Sequence, residues 1–137
     1  MALEASMQWE LLAEWILVYD TAKQHDLESF FADKPKIKEI YFQGPGVSGN
    51  AQRNRGLQQV NDGLVYFLDD DNIVHPHFWE LATNSWLGHV VTCDQLRDPS
   101  LLDMVVPTRE VFKGDQVVLG HIDTAMFVID RALIGEH

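Results

Sequence analysis

A single cysteine, Cys93, stands in a chain of 137 residues. That scarcity excludes an intrachain disulfide and a cysteine-built zinc cage, and it suits a reducing compartment. Positive charge is also scarce: 10 Lys and Arg face 21 Asp and Glu, giving a formal net charge of −11 at pH 7. Binding to a nucleic-acid backbone or an acidic membrane needs clustered Lys and Arg, so both are excluded as partners. A phosphorylated ligand would need a metal or a local Arg as intermediary. Long apolar runs are missing too. Trp15 to Val18 and Ala125 to Ile129 fall far short of the roughly 20 residues of a membrane helix, and the first residues lack the basic flank and cleavage site of a signal peptide. The expectation is a cytoplasmic protein with no membrane segment.

What is present is enough for one compact core. Hydrophobic residues make up 46% of the chain and aromatics 10%, close to globular averages, and the length predicts a single domain over residues 1–137. Ala2 to Ala13 has the composition and spacing of a helix. Trp15 to Tyr19, ending at Asp20, reads as a strand buried on both faces. A short helix is predicted over Asp26 to Ala32, then a strand over Ile37 to Phe42. Gly44 to Gly49 is a loop, followed by a helix from Asn50 to Val60 and a stop at Asn61-Asp62-Gly63. Leu64 to Leu68 is apolar throughout and reads as the central strand of a parallel sheet. Pro76 suits the start of another helix. Beyond Leu87 the pattern becomes short apolar runs: His89 to Thr92, Met104 to Val106, Val111-Phe112, Val117 to Leu119, then a strand over Asp123 to Ile129 and a helix from Arg131. The fold class expected is α/β, a mainly parallel sheet flanked by helices with a small mixed or antiparallel C-terminal part.

The central strand runs directly into Asp69-Asp70-Asp71-Asn72. Adjacent carboxylates raise one another's pKa and destabilise a fold unless a cation neutralises them. Hard divalent ions such as Mn²⁺ or Mg²⁺ prefer carboxylate oxygen and complete their shell with water and phosphate. Strand alternation sends Asp69 and Asp71 one way and Asp70 the other, so one face offers two carboxylates. A solvated Asp-rich turn is the plain alternative for such a triplet. The context favours a site, because open α/β sheets bind ligands at the carboxyl ends of their strands, and Asp20 closes an earlier strand in the same way.

Gln52-Arg53-Asn54-Arg55-Gly56-Leu57, followed by Gly63 to Asn72 with its Tyr66-Phe67-Leu68-Asp69-Asp70-Asp71-Asn72 stretch, resembles the core of GT-A glycosyltransferases with a DxD motif. The wording is similar to the animal β-1,3-glucuronyltransferases and to the broad family 2 transferases. Trp15 to Ala22 and Ile122 to Phe127 resemble two further segments of that core, so the likeness runs from about Trp15 to the end. It implies a nucleotide-sugar-binding GT-A domain that transfers a sugar, with inversion, from a nucleotide-diphosphate sugar, a UDP-sugar above all, to a hydroxyl on a glycan or other acceptor, with Mn²⁺ or Mg²⁺ as cofactor. Residue by residue, it implies that Asp20 contacts the base and Arg53 the base or phosphates. Asp69 and Asp70 would face the ribose and sugar, Asp71 would ligate the metal with Asp69 beside it, and Asp123 would lie on the acceptor side. Family members also begin with a further strand and carry a catalytic Asp or Glu downstream of the Asp123 segment. Glu136 does not match that pattern, so no base is identified, and the alternative expectation is a shortened module that binds the nucleotide sugar without efficient transfer.

Other residues are weaker candidates. His75 and His77 flank Pro76 and read as surface histidines at a helix entry, and His121 as a hydrogen-bonded strand-end residue, in preference to metal ligands. Trp15 and Trp79 read as core. Gly44 to Gly49 lacks the Lys-Ser/Thr ending of a phosphate loop, and an EF-hand loop starting at Asp69 lacks its central Gly and terminal Glu.

Overall fold

The computed structural model describes residues 8–21, 31, 33–45, 49–69, 72–97, 110–115 and 123–135. Several expectations lie outside the described residues: the helix over residues 2–7, most of the one over Asp26 to Ala32, the runs Met104 to Val106 and Val117 to Leu119, the acids Asp70, Asp71 and Glu136, and His121. The chain groups into two compact units, Gln8–Asn61 and Asp62–Gly135.

In the first unit, β1 (Trp15–Tyr19) and β2 (Ile37–Tyr41) pair in parallel, Trp15 opposite Ile37 and Tyr19 opposite Tyr41. The runs are β-branched and aromatic, which suits a pleated surface. Trp15 N–H donates to Lys36 O at 2.7 Å and Phe42 N–H to Tyr19 O at 3.0 Å, extending the ladder at both ends. One face of β1 meets α1 (Asn50–Leu57): a Cβ on Gly56 would lie 3.2 Å from Val18 Cγ2 and 3.9 Å from Ile16 Cγ2. On the other face Trp15 packs against Trp9 and Phe31, with ring centroids 5.9 and 6.1 Å away, while Tyr19 stacks on Tyr41 at 5.0 Å. Sequence reading expects β1 to be buried on both faces, yet all five residues are only half-buried. Among the described residues β1 has one strand neighbour, β2. Residues Gln8 to Ala13, expected to continue a helix, form turns instead, with Leu11 N–H on Gln8 O at 2.9 Å. The Lys36 ammonium gathers the carbonyls of Trp9 and Leu12. A tertiary cation thus takes carbonyls that a helix would have used, and helical propensity yields to it.

The second unit is built on a three-stranded antiparallel sheet in the order β3 (Leu64–Tyr66), β7 (Phe127–Asp130), β4 (Val90–Thr92). Leu64 faces Asp130 and Tyr66 faces Val128, while Val90 faces Ile129 and Thr92 faces Phe127. Its centre is Met126 and Val128, the two side chains removed most completely from solvent, joined by Val65, Val74, Trp79, Ala82 and Ala125. The helix α2 (Phe78–Asn84) lays Phe78 and Trp79 against Tyr66, at 4.6 and 5.5 Å between ring centroids. A separate ribbon pairs β5 (Gln95–Arg97) with β6 (Glu110–Phe112) antiparallel.

The fold class is thus mixed α/β, with two helices and small sheets among the described residues, and a mainly parallel sheet is not what they form. The β1–β2 pair is parallel as expected. However, β3, expected at the centre of a parallel sheet, borders an antiparallel one whose middle strand is β7. A short continuous apolar run signals burial but does not distinguish parallel from antiparallel partners. The strand expected over Asp123 to Ile129 begins later. Asp123 Oδ1 accepts from Thr124 N–H at 2.6 Å and caps a 3₁₀ turn over Thr124–Met126, so extended backbone starts only at Phe127. The helix expected at Arg131 is one 3₁₀ turn, Arg131–Leu133, capped by Asp130.

Candidate functional site

The topology of the second unit decides which polar residues meet. Strands β3 and β4 run the same way on either side of the antiparallel β7. Residues that follow β3 and β4 therefore emerge at the sheet end where the chain enters β7. Asp69 follows β3, Asp94 follows β4 and Asp123 precedes β7, so three aspartates reach one end of one sheet. Cys93 N–H donates to Met126 O at 2.8 Å, carrying the β4–β7 ladder one residue further toward that end.

Tyr66, the last residue of β3, senses this charge. Its hydroxyl donates to Ala125 O at 2.9 Å, across the mouth of β7. Burial, then the negative ends of Cys93, Asp69 and Asp123, hold its phenol ionisation well above the ordinary tyrosine range. The Cys93 thiol is likewise pushed up to about 11 by burial and by Asp94. Its sulfur lies 3.7 Å from Ala125 O.

Asn72 closes the acidic stretch. Its N–H donates to Asp69 O at 3.2 Å, and its side-chain Oδ1 accepts from Gln95 Nε2 at 3.1 Å. The carboxylate Asp94 is compensated locally: Lys113 Nζ lies 2.6 Å from Oδ2, and Gly114 N–H donates to Oδ1 at 3.0 Å. Lys113 and then Gly114 hold the Asp94 carboxyl below its ordinary pKa. The small stability this pair contributes is present above the unfolded-state pKa and is lost as pH falls through the depressed folded-state value. Gly114 is obligatory for the contact, since a Cβ there would sit 2.6 Å from Cys93 O and 2.8 Å from Cys93 C. Both are backbone atoms that cannot step aside. Gly114→Ala is expected to destabilise the unit by about 1–3 kcal/mol, the usual cost of overpacking, read as a lower urea midpoint with an unchanged m-value. A midpoint equal to that of the parent would show that the contact relaxes freely.

In the first unit the polar groups gather after β1 and around α1. The buried Gln52 donates from Nε2 to Asp20 Oδ1 at 2.8 Å, fixing an exposed carboxylate at the end of β1. Gly49 is the N-terminal residue flanking α1, in the left-handed region at φ 72°, and it offers no side-chain cap. The Arg53 guanidinium folds back over it, Nη1 lying 3.7 Å from where a Gly49 Cβ would be, and donates to Asn50 Oδ1 at 3.3 Å. At Gly44 the chain passes α1 so closely that a Cβ would meet Ala51 Cβ at 2.7 Å.

Of the expected site residues, the structure thus brings Asp69 and Asp123 to one sheet end, and it places Asp20 and Arg53 in the other unit. Asp70 and Asp71 lie outside the described residues. His75 and His77 are exposed; His77 N–H donates to His75 Nδ1 at 3.2 Å, and His77 Nδ1 lies 3.5 Å from Glu80 Oε2. Among the described residues no group of three His, Cys, Asp or Glu side chains is close enough to hold a metal ion by itself, and no helix is long and apolar enough to cross a membrane. Trp79 is core as expected, whereas Trp15 is only half-buried.

Sequence reasoning missed Asp94, Gln95, Lys113 and Gln52. Asp94 carried a usable signal, because it follows the apolar run Val90-Val91-Thr92-Cys93 as Asp20 and Asp69 follow theirs. Gln95, Lys113 and Gln52 carried none, since polar residues at such positions are ordinary until a partner is seen. Comparison of the chain with family models, curated proteins and solved structures returns no match.

Proposed function

We propose that the chain is a metal-dependent glycosyltransferase of GT-A type, moving a sugar from a nucleotide-diphosphate sugar, UDP-sugar first, to an acceptor hydroxyl. The observation that carries the proposal is the arrival of Asp69, at the head of the acidic triplet, and Asp123 at the same end of the β3–β7–β4 sheet. The sequence likeness around Gln52 to Leu57 and Gly63 to Asn72 supports it independently.

The likeness assigns the cation to Asp71 with Asp69 beside it, and Mn²⁺ and Mg²⁺, which take few protein ligands, all oxygen, and fill their shell with water and phosphate, are the ions such carboxylates would hold. When bound, the cation would offset the charge that builds on the leaving diphosphate. The remaining steps belong to the chain's own groups. By the sequence likeness alone, Asp20 would contact the base and Arg53 the base or phosphates. Asp70 would accept hydrogen bonds from ribose or sugar hydroxyls, and Asp123 would orient the acceptor. In transfer, the acceptor oxygen bonds to the anomeric carbon as the carbon–oxygen bond to the diphosphate breaks. The hydroxyl proton would pass to a general base, a role to which no residue of the chain is assigned.

Isothermal titration of UDP with and without Mn²⁺ tests the reading. Affinity that rises at least about tenfold with the metal, or about 1.4 kcal/mol, is the expected outcome; equal affinities would refute it. Transfer to an acceptor, or hydrolysis of UDP-sugar, then separates an enzyme from a module that only binds.

A further inference from the structure

The stretch between α1 and β3 carries a reactive pair that sugar transfer does not use. We infer that Asp62 is a site of covalent backbone modification, where attack by the Gly63 nitrogen turns the Asp62–Gly63 peptide bond into an isoaspartyl linkage. The inference stands apart from the nucleotide-sugar reading and holds or fails without it.

Asn61, Asp62 and Gly63 are all exposed, and Asp62 is the first residue of the Asp62–Gly135 unit. The Gly63 N–H donates to no group among the described residues, while the Gly63 carbonyl accepts from Arg131 N–H at 2.9 Å. Gly63 holds φ 89°, and nothing stands within 4 Å of where a Cβ would be. A peptide nitrogen attacks the carboxyl of the residue before it most readily when it is not already donating a hydrogen bond and when no side chain on its own Cα blocks the approach. Glycine meets the second condition by lacking a Cβ. Elsewhere the first condition fails. After Asp20, Thr21 N–H donates to Tyr19 O at 2.8 Å; after Asp33, Lys34 N–H donates to Phe31 O at 2.8 Å; after Asn84, Ser85 N–H donates to Leu81 O at 3.0 Å; and after Asp130, Arg131 N–H is the group held by Gly63 O.

The reaction needs only water. With the Asp62 carboxyl in its acid form, the bond from the Gly63 nitrogen to Cγ forms, the bond from Cγ to its hydroxyl breaks, and that hydroxyl leaves with the amide proton as water. A second water opens the cyclic imide. Opening at the main-chain carbonyl of Asp62 leaves the chain running through Cβ and Cγ, longer by a methylene, with a new carboxylate on Cα. That carboxylate is of the class methylated by S-adenosylmethionine-dependent isoaspartate methyltransferases.

The test is to age the folded full chain at neutral pH, treat it with a purified isoaspartate methyltransferase and labelled S-adenosylmethionine, and map the label by peptide digestion and electron-transfer mass spectrometry. Label should rise with ageing time and lie on the peptide that spans Asp62 and Gly63. The chain aged in guanidinium chloride should label that peptide at a comparable rate, since the fold does not withhold the Gly63 N–H. Asp62→Glu keeps the charge but would have to close a larger, slower-forming ring, so the label at this position should fall to background while the melting temperature stays that of the parent. Mapping the unaltered chain needs no variant and decides the matter even if Asp62→Glu does not fold. Label that appears only in denaturant, that lies on other acids, or that persists in folded Asp62→Glu overturns the inference.

Discussion

Met126→Ala is expected to destabilise the Asp62–Gly135 unit by about 2–5 kcal/mol, the range for truncating a buried long side chain when the cavity cannot collapse. Met126 is fully buried, and the nearby Ala125 and Val128 are nearly so. Its carbonyl also receives the Cys93 N–H, so the backbone around it is tied to β4 and cannot sink into the void. For a domain of about 60–100 residues each kcal/mol moves the melting temperature by roughly 4–8 °C, so thermal unfolding followed by tryptophan fluorescence gives a clear reading. Met126→Leu, which conserves volume, should cost less than about 1.5 kcal/mol. If Met126→Ala melts with the parent, Met126 is not the centre of this core.

The second large effect concerns chemistry. Asp71→Asn keeps the size of the side chain and removes the charge proposed to ligate the cation. Transfer, and the Mn²⁺ dependence of UDP binding, should fall by about 100-fold or more, since charge neutralisation by a metal supplies several kcal/mol and each 1.4 kcal/mol is a factor of ten. The melting temperature should stay within about 2 °C or rise slightly, because one of three neighbouring like charges is gone. Turnover in Asp71→Asn equal to that of the parent would dismiss the metal role. The contrast with Met126→Ala is diagnostic: one substitution removes stability and the other removes function.

The elements were more legible than their pairing. Trp15 to Tyr19, Ile37 to Tyr41 and the strand from Leu64 are readable as short, mostly apolar runs rich in β-branched and aromatic residues, and the helix from Asn50 by the loop before it and the Asn61-Asp62-Gly63 stop after it. Val90 to Thr92 and Val111-Phe112 were readable as short strands for the same reason, and the antiparallel pairing of β4 with β7 agrees with an expected mixed C-terminal part. The border position of β3 was not readable, since its partner β7 lies some 60 residues away and is itself shortened by the Asp123 cap. In the site, Asp20 and Asp69 were legible as acids that end apolar runs. The ties at Tyr66, Gln95 and Gln52 were not, because each is half of a hydrogen bond whose other half is distant in the chain.

The amino-acid order alone therefore determined the local elements, the run of adjacent carboxylates at Asp69 to Asp71, and the shortage of positive charge. These are matters of neighbouring residues, where periodicity and Coulomb repulsion act over a few positions. Only tertiary structure decided that Asp69, Asp94 and Asp123 share one sheet end, that Lys113 compensates one of them, that Tyr66 bonds Ala125 O and that Gln95 bonds Asn72. Those arrangements follow from antiparallel register across β3, β7 and β4, and register is set by which distant strands bury Met126 and Val128 together.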